Sequence, residues 1–356
     1  MKIHAFVTET SDPHARGQQV GERFAEQIRQ TTGRYLDFFP RVDVTLAEAR
    51  RIGENSLAAL EAWSPDLANE IHGLASGAGL PLWQLASLNA RTEVLAARSR
   101  HSECSTTVHA PRGVRAPQTL QTWDWHDSLC PHGLMLALRS RSGLAVKLFC
   151  EFGMLAKLGV NSAGLGLHFN ILHHRSDNAD GGVPVHAIAR RLLDEARSVE
   201  EAIELARSAR VSASTVLTVF SREDRSPRAV SIELSPERTA LVLPREDGWL
   251  LHTNHFLDPQ LAAGEQVADR ADTQCRLAHL EQVIGQMTGA DLRARAEAMC
   301  GAAGDAAPIC FHPDLALPDT ERWQTLLSVG IDTEHGFLDY VAGTPLQLAK
   351  AGSQRF

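Results

Sequence analysis

No stretch of these 356 residues supplies the roughly 20 consecutive apolar residues that a membrane-spanning helix needs. The first residues, from Met1 to Gly17, hold no apolar run long enough for a secretory signal. These two absences set the expectation of a cytoplasmic protein with no membrane partner. A basic stripe is also missing. The net charge is −8, and Arg190, Arg191 and Arg197 interleave with Glu195, Glu200 and Glu201, as on a solvated helix face. No nucleic-acid partner is expected.

The six cysteines, Cys104, Cys130, Cys150, Cys275, Cys300 and Cys310, form no CxxC pair, which argues against structural zinc. The histidines include His126, His132, His168, His173, His174, His252, His255 and His312, without HExxH or other strong ligand spacing. The expectation is no metal and no cofactor. There is no G-x-S-x-G elbow, no Walker A loop and no G-x-G-x-x-G opening a helix after a strand. Common serine-hydrolase and nucleotide-binding chemistries are therefore set aside. Scattered cysteines in a chain of this length are mostly reduced core residues, of which one can be catalytic.

What is present is a chain 44% apolar and 22% charged, enough for one large compact unit or two small ones. Its first hundred residues read as helical. Val20, Phe24 and Ile28 recur four apart as one stripe. Ser64 suits an N-cap and Pro65 the first helical position; Leu67, Ile71 and Leu74 share a face, and Gly77 and Gly79 suit a stop. A further helix is predicted over 85–95, and a lone strand over 4–8.

The pattern changes near residue 104. Short strand-like runs follow at 105–109, 120–125, 134–138, 145–149, 155–160 and 166–172, with Arg141-Ser142-Gly143 as a hairpin turn. Two helices are predicted next, one from Pro184 and one after Ser198, where Glu201 three residues on makes a capping box. Strands at 214–221, 229–234, 239–242 and 250–253, helices at 272–286 and 290–300, and strands at 324–332 and 336–341 complete the order. Helices, sheet, helices, sheet, helices, sheet can fold as two stacked antiparallel sheets between helical layers. The reading is an α+β single domain with a helical segment packed on it.

Four motifs could carry chemistry. Cys104 sits in Glu103-Cys104-Ser105-Thr106, where helical sequence gives way to sheet. In Thr122-Trp123-Asp124-Trp125-His126, period two puts both indoles on one face and Asp124 on the other. A buried carboxylate there needs donors or a cation. Asn161 and Asn170 lie in consecutive strand ends of the 159–170 stretch, and Asn254 follows the strand at 250–253. Such asparagines are either turn residues or side-chain donors toward an oxyanion.

Taken in order, these motifs resemble the acyl-coenzyme A:6-aminopenicillanic acid acyltransferase family, related to the conjugated bile acid hydrolases and penicillin V acylases. The resemblance runs through 65–80 and 88–93 upstream. It continues through 103–106, Trp123-Asp124-Trp125, 161–165, Asn170, Thr253-Asn254-His255-Phe256 and Leu327-Ser328-Val329. It implies a four-layer αββα sandwich of the N-terminal-nucleophile class, with self-activation as a zymogen. By that resemblance the chain is cut between Glu103 and Cys104, leaving a helical fragment 1–103 held against a catalytic fragment 104–356 as a heterodimer. A homo-oligomer of such heterodimers is allowed, not required.

A freed α-amino group, with a pKa of roughly 7.7–8, can serve as the base for its own thiol. Asp124 would orient that amine, Asn254 would donate to the oxyanion, and Asn170 and Asn161 stand as further donor or substrate-contact candidates. The substrate class is a small-molecule amide or thioester. Two departures stand out. The penicillin enzyme has glycine before its cysteine, where this chain has Glu103. The arginine that bile acid relatives bring toward the nucleophile has its nearest counterpart in Arg276 of Ala271-Asp272-Thr273-Gln274-Cys275-Arg276. The competing reading is an inactive, unprocessed scaffold or binding protein of the same fold.

Overall fold

A computed structural model describes residues 1–96, 103–222 and 228–356. The chain opens with strand β1 (Lys2–Val7) and six helices: α1 (Pro13–Arg23), α2 (Ala25–Arg41), α3 (Leu46–Trp63), α4 (Pro65–Ala78), α5 (Leu82–Asn89) and α6 (Arg91–Ala96). Strands β2 (Glu103–His109), β3 (Gln118–His126), β4 (His132–Arg139), β5 (Ala145–Glu151), β6 (Leu158–Asn161) and β7 (Leu165–Ile171) follow. Helices α7 (Val185–Glu195) and α8 (Val199–Arg207) lead to β8 (Thr215–Ser221), β9 (Ala229–Leu234), β10 (Thr239–Val242) and β11 (Trp249–His252). Then come α9 (Pro259–Ala262), α10 (Arg270–Val283), α11 (Leu292–Cys300), β12 (Trp323–Asp332), β13 (Phe337–Val341), α12 (Pro345–Ala351) and β14 (Gln354–Arg355).

The strands form two sheets, in orders β1-β4-β5-β6-β7-β8-β9-β10 and β11-β2-β3-β12-β13-β14. The sheets face each other, and polar side chains of β3 cross the gap: Gln121 Nε2 donates to the Phe169 carbonyl at 2.7 Å. Helices α7 and α8 cover the outer face of the larger sheet, while α10 and α11 cover the smaller. This is the α+β sandwich, with helices, two sheets and helices in layers. A single apolar cluster runs from Val20 and Phe24 of the helical segment to Leu338 and Tyr340 of the last strands. A second, under α10 to α12, holds Leu120, Trp249, Leu280 and Met299.

Several local expectations need correction. The 85–95 helix is two helices, broken at Ala90, a break that neither glycine nor proline marks. Strand β6 begins at Leu158, not 155. The sheets are not wholly antiparallel, because β1 pairs in parallel with β4, Lys2 opposite His132. The helical segment thus also contributes an edge strand. Ser64 does precede α4 and Pro65 opens it, but the Ser64 side chain makes no capping bond. Gly79 closes α4 in the left-handed region at φ 65, a conformation glycine adopts without a Cβ penalty. At Ser198 the hydroxyl accepts from Glu201 N, while the Glu201 carboxylate accepts from Arg197 N, so the box is shifted by one residue.

Helices α1 and α4 pack at unusually close range through facing glycines. A methyl group at Gly17 would collide with the Glu70 carbonyl, and one at Gly73 with the His14 carbonyl. Beside this contact lies a fully buried ion cluster. Glu70 accepts from Arg16 of α1 and, at 2.9 Å through both oxygens, from Arg190 of α7. Arg190 also donates to Asp194 at 2.9 Å. Burial pushes the Glu70 carboxyl up, but Arg190 and Arg16 outweigh it and hold the group below the usual carboxylate range. The cluster joins the segment before residue 104 to the sandwich after it.

Candidate active site

Strand β2 runs between β3 and β11, and Cys104 stands opposite Trp123 in register. Opposite residues of an antiparallel pair share a face, so the Cys104 thiol, Thr106, Gln121, Trp123 and Trp125 all point into the gap between the sheets. Asp124 and Ser105 point the other way, toward α10. Cys104 is buried, 4% exposed, and Asp124 is wholly buried.

The main-chain groups of Cys104 are clamped on both sides. Its N–H donates to Asn254 Oδ1 at 2.7 Å. Its carbonyl accepts from Arg276 Nη1 at 2.9 Å and from Asn170 Nδ2 at 3.1 Å. Each clamp is held in turn. Asn254 Nδ2 donates to the Ile171 carbonyl at 2.9 Å, and its Oδ1 also accepts from Arg276 at 3.0 Å. This leaves only one assignment of the amide consistent with its neighbours. Asn170 Oδ1 accepts from Thr106 at 2.7 Å and from Gln121 at 3.2 Å. Arg276 is anchored by Asp272 one turn earlier on α10, at 2.8 Å.

Helix α10 supplies more than the arginine. Thr273, three residues before Arg276 and on the same helix face, accepts from Asn254 N at 2.8 Å and donates to Thr253 at 2.9 Å. His255 lies 3.0 Å from the Thr273 hydroxyl. Burial, with His252 and Arg276 nearby, brings the His255 imidazole down to about 4, so it is neutral at pH 7.

The electrostatics fit a resting site. Burial and the Asp124 carboxyl push the Cys104 thiol up to about 12. Burial pushes Asp124 up to about 7 against the pull of Thr325, Arg276 and Thr122. Asp124 Oδ2 accepts from the Thr122 hydroxyl at 3.0 Å, while Oδ1 completes no hydrogen bond among the described residues. The thiol is thus protonated at neutral pH, and the acid that couples most strongly to it titrates near neutrality.

Of the residues singled out from sequence, Cys104, Asp124, Asn170, Asn254 and Arg276 are brought together. Asn254 accepts at Cys104 N, where the resemblance implied a donor toward an oxyanion. Asn161 is a correction. Its Nδ2 donates to the carbonyls of Leu193 and Ala196, and its Oδ1 accepts from Ala163 N and Leu165 N. It ties the β6–β7 turn to the end of α7 and plays no part at Cys104. The backbone of Glu103 pairs with Asp124, whereas its side chain lies outside the described residues.

Sequence reasoning missed Thr106, Gln121 and Thr273. For Thr273, the three-residue spacing to Arg276 was the available signal. Among the described residues no three His, Cys, Asp or Glu side chains gather as a metal-binding group, and no helix is long and apolar enough to cross a membrane.

Comparison with known proteins places this geometry in context. The signature of a family described as acyl-coenzyme A:6-aminopenicillanic acid acyl-transferase matches residues 115–347. That span begins beyond Cys104 and takes in Asp124, Asn170, Asn254 and Arg276. The acyl-coenzyme A:6-aminopenicillanic-acid-acyltransferase 40 kDa form of Emericella nidulans is 26% identical over 226 residues, which is 63% of this chain and 61% of that protein. The chain therefore spans about three fifths of the length of that curated relative. Among solved structures, penicillin V acylase from Agrobacterium tumefaciens is similar with a TM-score of 0.42 at 14% identity, over 67% of this chain and 83% of that one. A mutant conjugated bile acid hydrolase from Clostridium perfringens gives 0.42 at 12% identity, over 67% and 89%.

Proposed function

The chain belongs to the acyl-coenzyme A:6-aminopenicillanic acid acyl-transferase family, and on that premise we propose that it is a self-processing amide hydrolase or acyltransferase whose nucleophile is Cys104. The observation that carries this reading is the clamp on Cys104. Asn254, Asn170 and Arg276 grip its N–H and carbonyl at 2.7 to 3.1 Å, at the start of a central strand and beside a buried carboxyl. An inert core cysteine needs only the strand ladder.

In self-processing, the Cys104 sulfur attacks the Glu103 carbonyl carbon. The C–S bond forms, the C–N bond to Cys104 breaks, and the thiol proton ends on the departing nitrogen. Water then attacks the thioester, releasing the Glu103 carboxylate and restoring the thiol. The products are fragment 1–103 and fragment 104–356, still joined by the buried cluster around Glu70. The new amine arises where the Cys104 N–H now meets Asn254 Oδ1, so it is positioned without rearrangement.

In turnover that amine takes the thiol proton, and the sulfur attacks the substrate amide or thioester. An amide's departing nitrogen recovers the proton, and the acyl group waits on sulfur for water or an acceptor amine. Hydrolysis is the default outcome because water needs no second pocket.

A reagent specific for 1,2-aminothiols, such as 2-cyanobenzothiazole, tests the chemical identity of the new terminus. The purified protein is expected to take one label, on the larger fragment at Cys104. Absence of label on a folded protein would contradict the reading.

A further inference from the structure

Two cysteines outside the clamp stand side by side. Cys300 ends α11 and Cys310 lies ten positions on, and their sulfurs are 3.9 Å apart in the buried cluster under α10 to α12. Both are free thiols. Cys300 is wholly enclosed, whereas Cys310 keeps a narrow opening, at 8% exposed. The contact is a hydrogen bond between thiols. It holds the Cys300 thiol below its ordinary range and, together with burial, pushes the Cys310 thiol up, as where two sulfurs share one proton.

The segment between them can give. Bonded sulfurs sit roughly 2.0 Å apart, so closing the pair takes an approach of about 1.9 Å from the present 3.9 Å. The intervening chain is a short 3-10 turn, Gly301–Ala306, broken at Gly304. Gly301 at φ 58 and Gly304 at φ 57 both use the left-handed half of backbone space, which glycine enters without a Cβ penalty.

Each cysteine is one residue from a group that touches the site. Before Cys300, the Met299 carbonyl accepts from His279 Nε2 at 2.8 Å, and His279 follows Arg276 by three positions on the same face of α10. After Cys310, Phe311 N donates to Thr325 Oγ1 at 2.9 Å, and the Phe311 carbonyl accepts from Thr325 N at 3.0 Å. Thr325 stands opposite Asp124 and pulls its carboxyl down. The Phe311 ring lies 5.7 Å from the Arg276 guanidinium. Drawing the two sulfurs together therefore pulls on the arginine that grips the Cys104 carbonyl and on the threonine that faces Asp124.

We propose that Cys300 and Cys310 are a modification site, a reversible disulfide made by a peroxide and undone by a dithiol, which slows chemistry at Cys104. The Cys310 sulfur attacks one oxygen of hydrogen peroxide, the O–O bond breaks, and the thiol proton leaves with the departing oxygen as water. The Cys300 sulfur then attacks the Cys310 sulfenic acid at sulfur. The S–S bond forms, and the hydroxyl leaves with the Cys300 proton as a second water. The two thiols lose two electrons and the peroxide gains them. The disulfide stands on the sulfur geometry alone; its effect on the site rests on Cys104 being the nucleophile.

Trypsin releases both cysteines on one peptide, 296–322, because Arg295 and Arg322 bracket them with no Lys or Arg between. The test treats the purified protein with hydrogen peroxide, then with iodoacetamide under denaturing conditions. That peptide is expected to lose the mass of two hydrogens and take no alkyl group, and after dithiothreitol to take two. Labelling of Cys104 by 2-cyanobenzothiazole is expected to slow several-fold on oxidation and to recover with dithiothreitol. The labelling rate should stay constant through the same cycle in Cys300→Ala, or in Cys310→Ala should the first variant not fold. A wild-type peptide that keeps two alkylatable thiols, or gains only oxygen at them, would overturn the disulfide without recourse to either variant. A formed disulfide with an unchanged labelling rate would overturn its link to the site. No label at Cys104 before oxidation would overturn the reading beneath that link, and the link with it, while the peptide mass still decides the disulfide.

Discussion

Asp124→Asn is expected to slow self-processing and turnover by about 10²–10⁴-fold, the span typical of a positioned acid–base group. It is also expected to leave the fold no less stable at neutral pH. The two halves follow from one fact. Burial raises Asp124 to about 7, so the folded state disfavours its ionised form. A raised acid contributes stability that is full below its unfolded value and is lost as pH rises through about 7. Replacing it with a neutral amide removes that loss. The processing rate in the wild type should climb with pH through about 7 as the carboxylate forms, and Asp124→Asn should lose that limb. A time course of fragment appearance across pH, beside thermal melts of both proteins, checks both halves. A variant that cleaves at the wild-type rate would remove Asp124 from the mechanism.

The second large effect concerns cohesion of the two fragments. Glu70→Gln withdraws the charge that balances Arg16 and Arg190 in a buried site, and breaking a buried pair on one side costs about 3–5 kcal/mol. Because Arg16 lies before the proposed cut and Arg190 after it, the loss is expected to fall on the joint between the two fragments. Denaturant titration should show reduced stability, and size-exclusion of the processed protein should show the small fragment escaping. The sign with pH is opposite to that of Asp124. Glu70 is held below the usual carboxylate range, so its contribution is present above the unfolded value of about 4.5 and is lost as pH falls through the lower folded value. Glu70→Gln should flatten this acid-side slope.

Much of this was legible in the residues. The four-apart stripe from Val20 to Ile28, Pro65, and the alternation around Trp123 and Trp125 are local signals, and local backbone preferences honour them. Arg276 was reachable only through the resemblance to the bile acid hydrolases, as the nearest arginine in the 271–276 stretch. What failed was non-local. The pairing of β1 with β4 joins residues about 130 apart, and no neighbour of Lys2 announces it. Asn161 and Asn170 both sit at strand ends, and only what lies opposite separates them: carbonyls of α7 for one, the Cys104 carbonyl for the other. Nothing in the sequence around Arg91 and Lys157 announces that they are buried. Their partner Glu151 is 60 residues from Arg91, so the burial that gives them meaning appears only in the fold.

Intact mass under denaturing conditions, wild type beside Cys104→Ala, tests the central claim most directly. By residue share of 38.8 kDa, the wild type should give pieces of about 11 and about 28 kDa, the larger beginning at Cys104, and the variant should stay whole. A wild type that remains a single 38.8 kDa chain, or a variant that is cut all the same, would contradict self-processing at Cys104.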